Sequence, residues 1–408
     1  MYIKSILFLV FFTIFLLIGC KNEIPNGVWD PNSDGRPQPV IQSVFPTEGS
    51  YAGIQVITLN GSNFSRNPKE NILTVKGNRG VILSATETQI TAIPPLVISD
   101  SATLRLDVIG SYESGKYYPY RLISPANVYG NFTEDEFVQD IEFDKDNNLY
   151  ALITNATGQR IIYKQIAEDT TRIEYGRVNF PIGQPSMKFG PDGSLFICRK
   201  NNKKFYRIPP GGGNAEQYVR LPGKVQTFDF DTDGNIYIGG SGNSIYRIKG
   251  DKTIETVADY DTIAIVSLRL FENYVYIAGQ YKQQTPEGLK IFQKIWRNSI
   301  ISSSDSLGSK ELVFDWSDYN SENLISAITF SAEGDLYISS NAENPVTVIY
   351  TDKSVSPFLE GVLPPPAIGL AWDESDFFYY IHKVEVPAKK EIIRVYTAKR
   401  GAVYNGRQ

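Results

Sequence analysis

Thr227-Phe228-Asp229-Phe230-Asp231-Thr232-Asp233-Gly234-Asn235-Ile236-Tyr237-Ile238-Gly239-Gly240, followed by Ser244-Ile245-Tyr246-Arg247-Ile248, is the stretch that decides the fold. It holds an alternating apolar run, a tight polar turn and a second alternating run around an aromatic. Three more copies follow the same pattern: Ile141-Glu142-Phe143 to Asn148-Leu149-Tyr150, Met187-Lys188-Phe189 to Ser194-Leu195-Phe196, and Ile328-Thr329-Phe330 to Asp335-Leu336-Tyr337. Looser copies surround residues 268–276 and 370–380. A repeat of roughly 40 residues made only of strand signals predicts a β-propeller with one blade per repeat, hence six blades.

Each unit divides into four strands. In the third these are 226–230, 235–239, 244–248 and 253–259, with Asp231-Thr232-Asp233-Gly234 as the first turn. Gly234 suits a positive φ there, and Pro191-Asp192-Gly193 and Ala332-Glu333-Gly334 repeat the device. Over nearly the whole of residues 126–408 the pattern resembles NHL-type and gluconolactonase-like six-bladed propellers. The sixth unit supplies only three strands, 368–372, 377–382 and 391–396. An open ring would expose strand edges. A strand near 127–132 is therefore expected to complete the last blade, with 402–404 as the alternative.

Residues 39–123 have another rhythm, with short strands at 40–45, 54–60, 72–75, 80–85, 89–93, 103–109 and 117–122, the spacing of a β-sandwich. Val44-Phe45-Pro46-Thr47-Glu48-Gly49-Ser50, then Ile57-Thr58-Leu59-Asn60-Gly61-Ser62-Asn63-Phe64, resembles the opening of IPT/TIG immunoglobulin-like domains. Ile93-Pro94-Pro95 matches that family's later strand-end prolines. The fold class is all-β, an immunoglobulin-like sandwich followed by a six-bladed propeller.

The first residues carry an address. A positively charged start precedes an apolar run at 6–18, too short for a relaxed transmembrane helix and suited to a signal-peptide core. It ends in Leu16-Leu17-Ile18-Gly19-Cys20, which resembles the bacterial lipobox. The resemblance implies that residues 1–19 are removed and that lipid on Cys20 holds the chain at a membrane without spanning it. Residues 20–38, with Pro25-Asn26-Gly27 and Asp30-Pro31-Asn32, read as a flexible tether. The expected location is the outer membrane, at the cell surface, with an outer-membrane protein as a further partner. Asp100-Ser101-Ala102, Asp261-Thr262-Ile263 and Asp305-Ser306-Leu307 resemble O-glycosylation acceptors of Bacteroidetes, and the whole assembly resembles surface lipoproteins of that group.

Composition bounds the chemistry. A net charge of −5 without basic runs argues against nucleic acid as a partner. With Cys20 lipidated, Cys198 is the one remaining cysteine, so no intramolecular disulfide forms. It sits in an apolar strand, Leu195-Phe196-Ile197-Cys198, as a small core residue. His382 is the single histidine. Asp231-x-Asp233-Gly234-Asn235 looks like the start of a calcium loop but has no Glu at the distance such a loop requires, so turn chemistry is the better reading. No metal, cofactor or catalytic residue is assigned. Asp140, Glu142 and Asp229 stand at blade starts, without the spacing of a lactonase metal site.

Long loops on a rigid scaffold concentrate function. Residues 280–288, 315–323 and 382–389 read as such loops on the face where binding to propellers usually occurs. They supply Tyr281, Gln283, Trp316, Tyr319, Asn320 and His382 as a candidate ligand site. Aromatic faces beside amide and carboxylate groups suit a glycan. The competing reading has these aromatics packed between blades or pinning their own loops. The expected function is non-catalytic glycan binding at the cell surface. Alternatives are a lactonase-like hydrolase or lyase working in the propeller channel, and a protein-binding component of a surface complex.

Overall fold

A computed structural model describes residues 35–167, 169, 171–301, 305–385 and 389–407. Cys20, the tether aromatic Trp29 and the signal-like run lie outside the described residues.

The first unit is a two-sheet sandwich. One sheet runs Val40–Phe45, Ile57–Ser62, Gln89–Ile93, Val81–Ala85, and the other Ser50–Tyr51, Gly115–Ile123, Ser99–Val108, Asn71–Val75, Asn78–Arg79. Alternation turns Leu59, Leu73, Ile90, Leu104 and Leu106 inward to a shared core. Gly61 is required by close approach: a Cβ there would stand 1.8 Å from the Val40 carbonyl oxygen and 2.7 Å from the Phe64 ring. Phe64 seals the core beneath it.

Six further sheets form the propeller among the described residues. Their innermost strands, which we call A strands, are Phe137–Phe143, Pro185–Phe189, Thr227–Phe230, Ala264–Phe271, Ile325–Phe330 and Ala367–Trp372. Each packs on the next, and that of blade six returns to blade one, so the ring is closed. Ala126–Tyr129 pairs antiparallel with Lys389–Tyr396 and supplies the outer strand of blade six. The segment just before the first blade thus closes the last one, as edge protection demands. Residues 402–404, the alternative for that outer strand, take another place described below.

Apolar clusters lie between consecutive blades. Phe196, Phe205 and Cys198 of blade two meet Phe228 and Phe230 of blade three, and Tyr337 of blade five meets Trp372 and Phe378 of blade six. The repeated aromatics are therefore inter-blade filler, each fully buried ring stabilising by roughly 1.5–3 kcal/mol. The Asp turns are turns: Asp231 Oδ1 accepts from the Asp233 and Asn235 amides, and Asp144 Oδ1 accepts from those of Asp146 and Asn148.

The expected long loops prove more ordered. In blade four, residues 280–288 are not a loop. Tyr274–Thr285 and Gly288–Ser299 form one long hairpin in continuous register, with Tyr281 opposite Phe292 and Gln283 opposite Lys290. Its outer half has both faces exposed, so it lacks the one-sided alternation that announces a strand. In blade six the pairing likewise extends to Val384 and Lys389. Residues Trp316–Tyr319 form a helical turn.

The sandwich rests on the lower edge of blade six, the end carrying the first turn of each blade. There Tyr51 stacks on Tyr396, centroids 4.2 Å apart, and meets the Phe377 ring edge-on. Arg36, near the end of the tether segment, pairs with Ser111 at the opposite end of the sandwich. The nine-residue strand Gly115–Ile123 spans the two ends, a separation of about 30 Å at the usual strand rise.

Candidate functional site in the propeller channel

The A strands enclose a channel of about 810 Å3. Its walls differ in chemistry. Half-buried Gln139 and Asp140 of blade one, Ser186 and Lys188 of blade two and Gln226 of blade three make a polar side. Val266 of blade four, Ala327 of blade five, and Ile368 and Leu370 of blade six add hydrocarbon opposite them, with half-buried Ser326 among these.

The floor is the C-terminal tail. The Ala402 amide donates to the Phe330 carbonyl, Tyr404 Oη to that of Phe189 and Asn405 Nδ2 to that of Phe230. The tail thus crosses the lower ends of blades five, two and three. Gly406 passes so close to blade two that a Cβ would lie 2.0 Å from the Phe189 oxygen. Arg407 then reaches blade one, where Nη2 stands 2.5 Å and Nε 3.1 Å from Glu142 Oε1, and its Nη1 reaches Glu374 at 3.3 Å.

A charged belt surrounds this floor. Asp229 accepts from Arg269 Nη1 at 2.7 Å, from Lys188 Nζ at 3.1 Å, and from the Leu270 and Phe230 amides. Burial alone would push its carboxyl up, but Arg269 and Lys188 outweigh that and hold it below the usual carboxylate range. The Lys188 ammonium is pulled down, chiefly by burial and also by Arg269. The Tyr404 ring lies among three cations, with Lys188 Nζ at 4.9 Å and the guanidinium carbons of Arg269 and Arg407 at 5.1 and 5.5 Å. Burial raises its phenol well above the ordinary value.

Asp140 differs from the other channel carboxylates. It accepts from the Met187 amide at 2.6 Å and has no cation within ion-pair distance among the described residues. Burial first, then the neighbouring Glu142 charge, pushes its carboxyl up to about 8, against the pull of the Met187 amide and Lys188. The folded state therefore holds a proton that the unfolded chain releases near pH 4, so this group's contribution to stability declines from about pH 4 to about pH 8. Asp140→Asn is expected to melt at least about 3 °C above the parent at pH 8.5, with the gap closing toward pH 5. Thermal melts across that range check it, and a pH-independent gap would sink the assignment.

The six residues expected to bind ligand lie outside the channel lining. Trp316 is only 1% exposed, and its indole N–H donates to the Asn323 carbonyl at 2.7 Å, so it pins its own turn and offers no stacking face. Tyr319, 42% exposed, leans on Trp316 and Phe314, and Asn320 Oδ1 accepts from Asn323. Tyr281 stacks on Phe292 within the blade-four hairpin, and exposed Gln283 lies farther out on it. His382 turns Nε2 to the Pro365 carbonyl at 3.0 Å, at the rim of blade six. Trp316 is thus a buried pin, while Tyr319 keeps an exposed ring and His382 sits at the rim of blade six. The channel groups were visible only as Asp140, Glu142 and Asp229. The tail was visible only as a candidate strand at 402–404, since Ala402, Tyr404 and Asn405 bond to backbone carbonyls of distant blades.

Residues 39–121 match the IPT/TIG domain family model. The comparison with curated proteins gives no match. Among solved structures, the chain is similar to luciferin-regenerating enzyme at 12% identity, with 69% of this chain and 99% of that one covered and a TM-score of 0.52. It is also similar to an auxiliary nutrient binding protein from Bacteroides thetaiotaomicron at 11% identity, with 90% and 99% covered and a TM-score of 0.45. A gluconolactonase from Xanthomonas campestris matches at 16% identity, over 66% and 89%, with a TM-score of 0.48. The first of these likenesses shows the propeller fold and nothing of activity, and the names divide between binding and catalysis.

Proposed function

We propose that this chain is a non-catalytic, lipid-anchored cell-surface protein that binds a small ligand in the propeller channel. The observation that carries the reading is the channel itself: a cavity of about 810 Å3, floored by the chain's own tail and lined by half-buried polar groups facing hydrocarbon. That size and mixed lining suit a small-molecule site. Glu142 and Asp229 are neutralised by arginine or lysine, which removes them as bases. A glycan, the ligand expected from the loops, remains within this class, but its seat moves from the rim aromatics to the channel.

Lipid on Cys20 would put the far end of the sandwich toward the membrane. The sandwich then acts as a spacer, lifting the propeller off the surface with the upper mouth of the channel unobstructed by it. Labelling with an alkyne fatty acid is expected to mark the full chain and not the Cys20→Ser variant; equal labelling of both would refute the anchor.

Ala327→Trp tests the site. It fills the channel from the apolar wall and is expected to abolish the thermal shift given by any ligand found in a panel of sugars, organic acids and lipids. Unchanged shifts in a folded variant would place binding elsewhere. A second reading, acid–base catalysis, is favoured by Asp140, which keeps its proton to about pH 8. The binding reading expects no hydrolysis of glucono-δ-lactone above the spontaneous rate; hydrolysis lost in Asp140→Asn would favour the enzyme.

A further inference from the structure

Lys390 is the least compensated of the half-buried cations lining the channel, the exposed Lys200 at the rim apart. It stands on blade six at the seam with blade one, and its Nζ donates to Gln139 Oε1 at 3.3 Å. No carboxylate lies within ion-pair distance of it among the described residues, in contrast to Lys188, Arg269 and Arg407. Lys383, on the neighbouring strand, adds a second positive charge to the same rim, although its own ammonium is engaged by Glu385 at 2.7 Å. An ammonium has three donors, so two of those on Lys390 are left for a ligand.

A cation held inside a wall without a counter-ion is costly, and an arriving anion recovers that cost. Burial and the Lys383 charge pull the Lys390 ammonium below its ordinary value, and Asp140, which opposes this when ionised, keeps its proton to about pH 8. Lys390 borders the polar side of the channel, and the apolar side begins on its own blade with Ile368 and Leu370 and continues through Ala327 to Val266. A ligand seated on Lys390 therefore lies along hydrocarbon on one flank. A purely polar sugar would leave that flank without a partner. A neutral hydrocarbon would leave the ammonium without one.

Resting on the channel reading above, we infer that the ligand is a small amphipathic anion. Its carboxylate pairs with Lys390, and its apolar part lies along Val266, Ala327, Ile368 and Leu370.

Isothermal titration of the soluble chain, beginning after Cys20, with octanoate, 1-octanol and glucuronate tests this at pH 7. Octanoate is expected to bind at least ten-fold more tightly than either of the others. Lys390→Gln is expected to lose about ten-fold for octanoate and nothing for 1-octanol, while Lys390→Arg retains most of the affinity. Ile368→Ser should weaken octanoate and 1-octanol alike. Equal affinities for octanoate and 1-octanol, no octanoate binding, or full octanoate affinity in folded Lys390→Gln would overturn the inference. Ala327→Trp separates the two levels of the argument. If glucuronate alone binds and Ala327→Trp abolishes it, the channel stands and the ligand class falls; if octanoate still binds to Ala327→Trp, the channel reading itself falls.

Discussion

Arg407→Ala is expected to destabilise the propeller by about 3–5 kcal/mol, the cost of leaving a buried carboxylate without its cation. Arg407 and Glu142 have side chains only 6% exposed, joined by two hydrogen bonds to a single oxygen. Truncation would strand the Glu142 charge at the channel floor, where water cannot replace the guanidinium as it would at the surface. It would also release the last anchor of the tail. Chemical denaturation followed by intrinsic fluorescence measures the loss, with the sandwich expected to unfold in its own transition. Limited proteolysis after Arg400 reports the tail. Pairing the variant with Glu142→Gln should recover part of the loss, because the stranded charge is then gone. A loss below about 1 kcal/mol would mean that the pair is solvated and that the floor is not built as described.

Legibility in the sequence followed periodicity. Where one face of a strand is buried, alternation wrote it plainly, so the sandwich strands Asn71–Val75 and Gln89–Ile93 were readable. The outer half of the blade-four hairpin has no buried face, so Lys282, Gln283 and Gln284 carry a loop's composition while pairing as strands. Trp316 misled for a related reason. A polar neighbourhood in sequence suggested exposure, yet its ring packs under the turn and its N–H is satisfied locally.

The channel was harder to read because it is assembled from residues roughly 40 positions apart. Asp229 is one letter in a repeat, and only closure of the ring brings Lys188 and Arg269 to it. The tail extends the point. Tyr404 and Asn405 bond to Phe189 and Phe230, more than 170 residues away, through main-chain oxygens that any sequence would present. Most of the channel lining comes from the A strands themselves, at the polar positions that break their apolar alternation.

Asp229→Asn should cost at least about 3 kcal/mol near neutral pH, with a pH profile that identifies the cause. Asparagine keeps the volume but has one acceptor oxygen where the parent uses Oδ1 for the Phe230 amide and Oδ2 for the Leu270 amide, so one backbone bond goes as a pH-independent part of the cost. What is also lost is the negative charge between Lys188 and Arg269, which leaves two like charges at the buried floor. In the parent, the Asp229 carboxyl is held below its unfolded value, so its contribution is present above about pH 4 and disappears as pH falls through the folded value. Parent and variant should therefore draw closer in acid. At the alkaline end the variant has its own escape: the Lys188 ammonium, already pulled down by burial, loses the carboxylate that supported it and gives up its proton sooner. The deficit should hold from about pH 4 to pH 7, narrow below pH 4 and narrow again toward pH 9.5, a profile measurable from urea midpoints. A deficit that stays constant from below pH 4 to pH 9.5 would assign the loss to packing and the backbone bond instead of charge. Octanoate affinity adds an independent readout, since a seat at Lys390 lies above this belt and should change less than two-fold in any variant that remains folded.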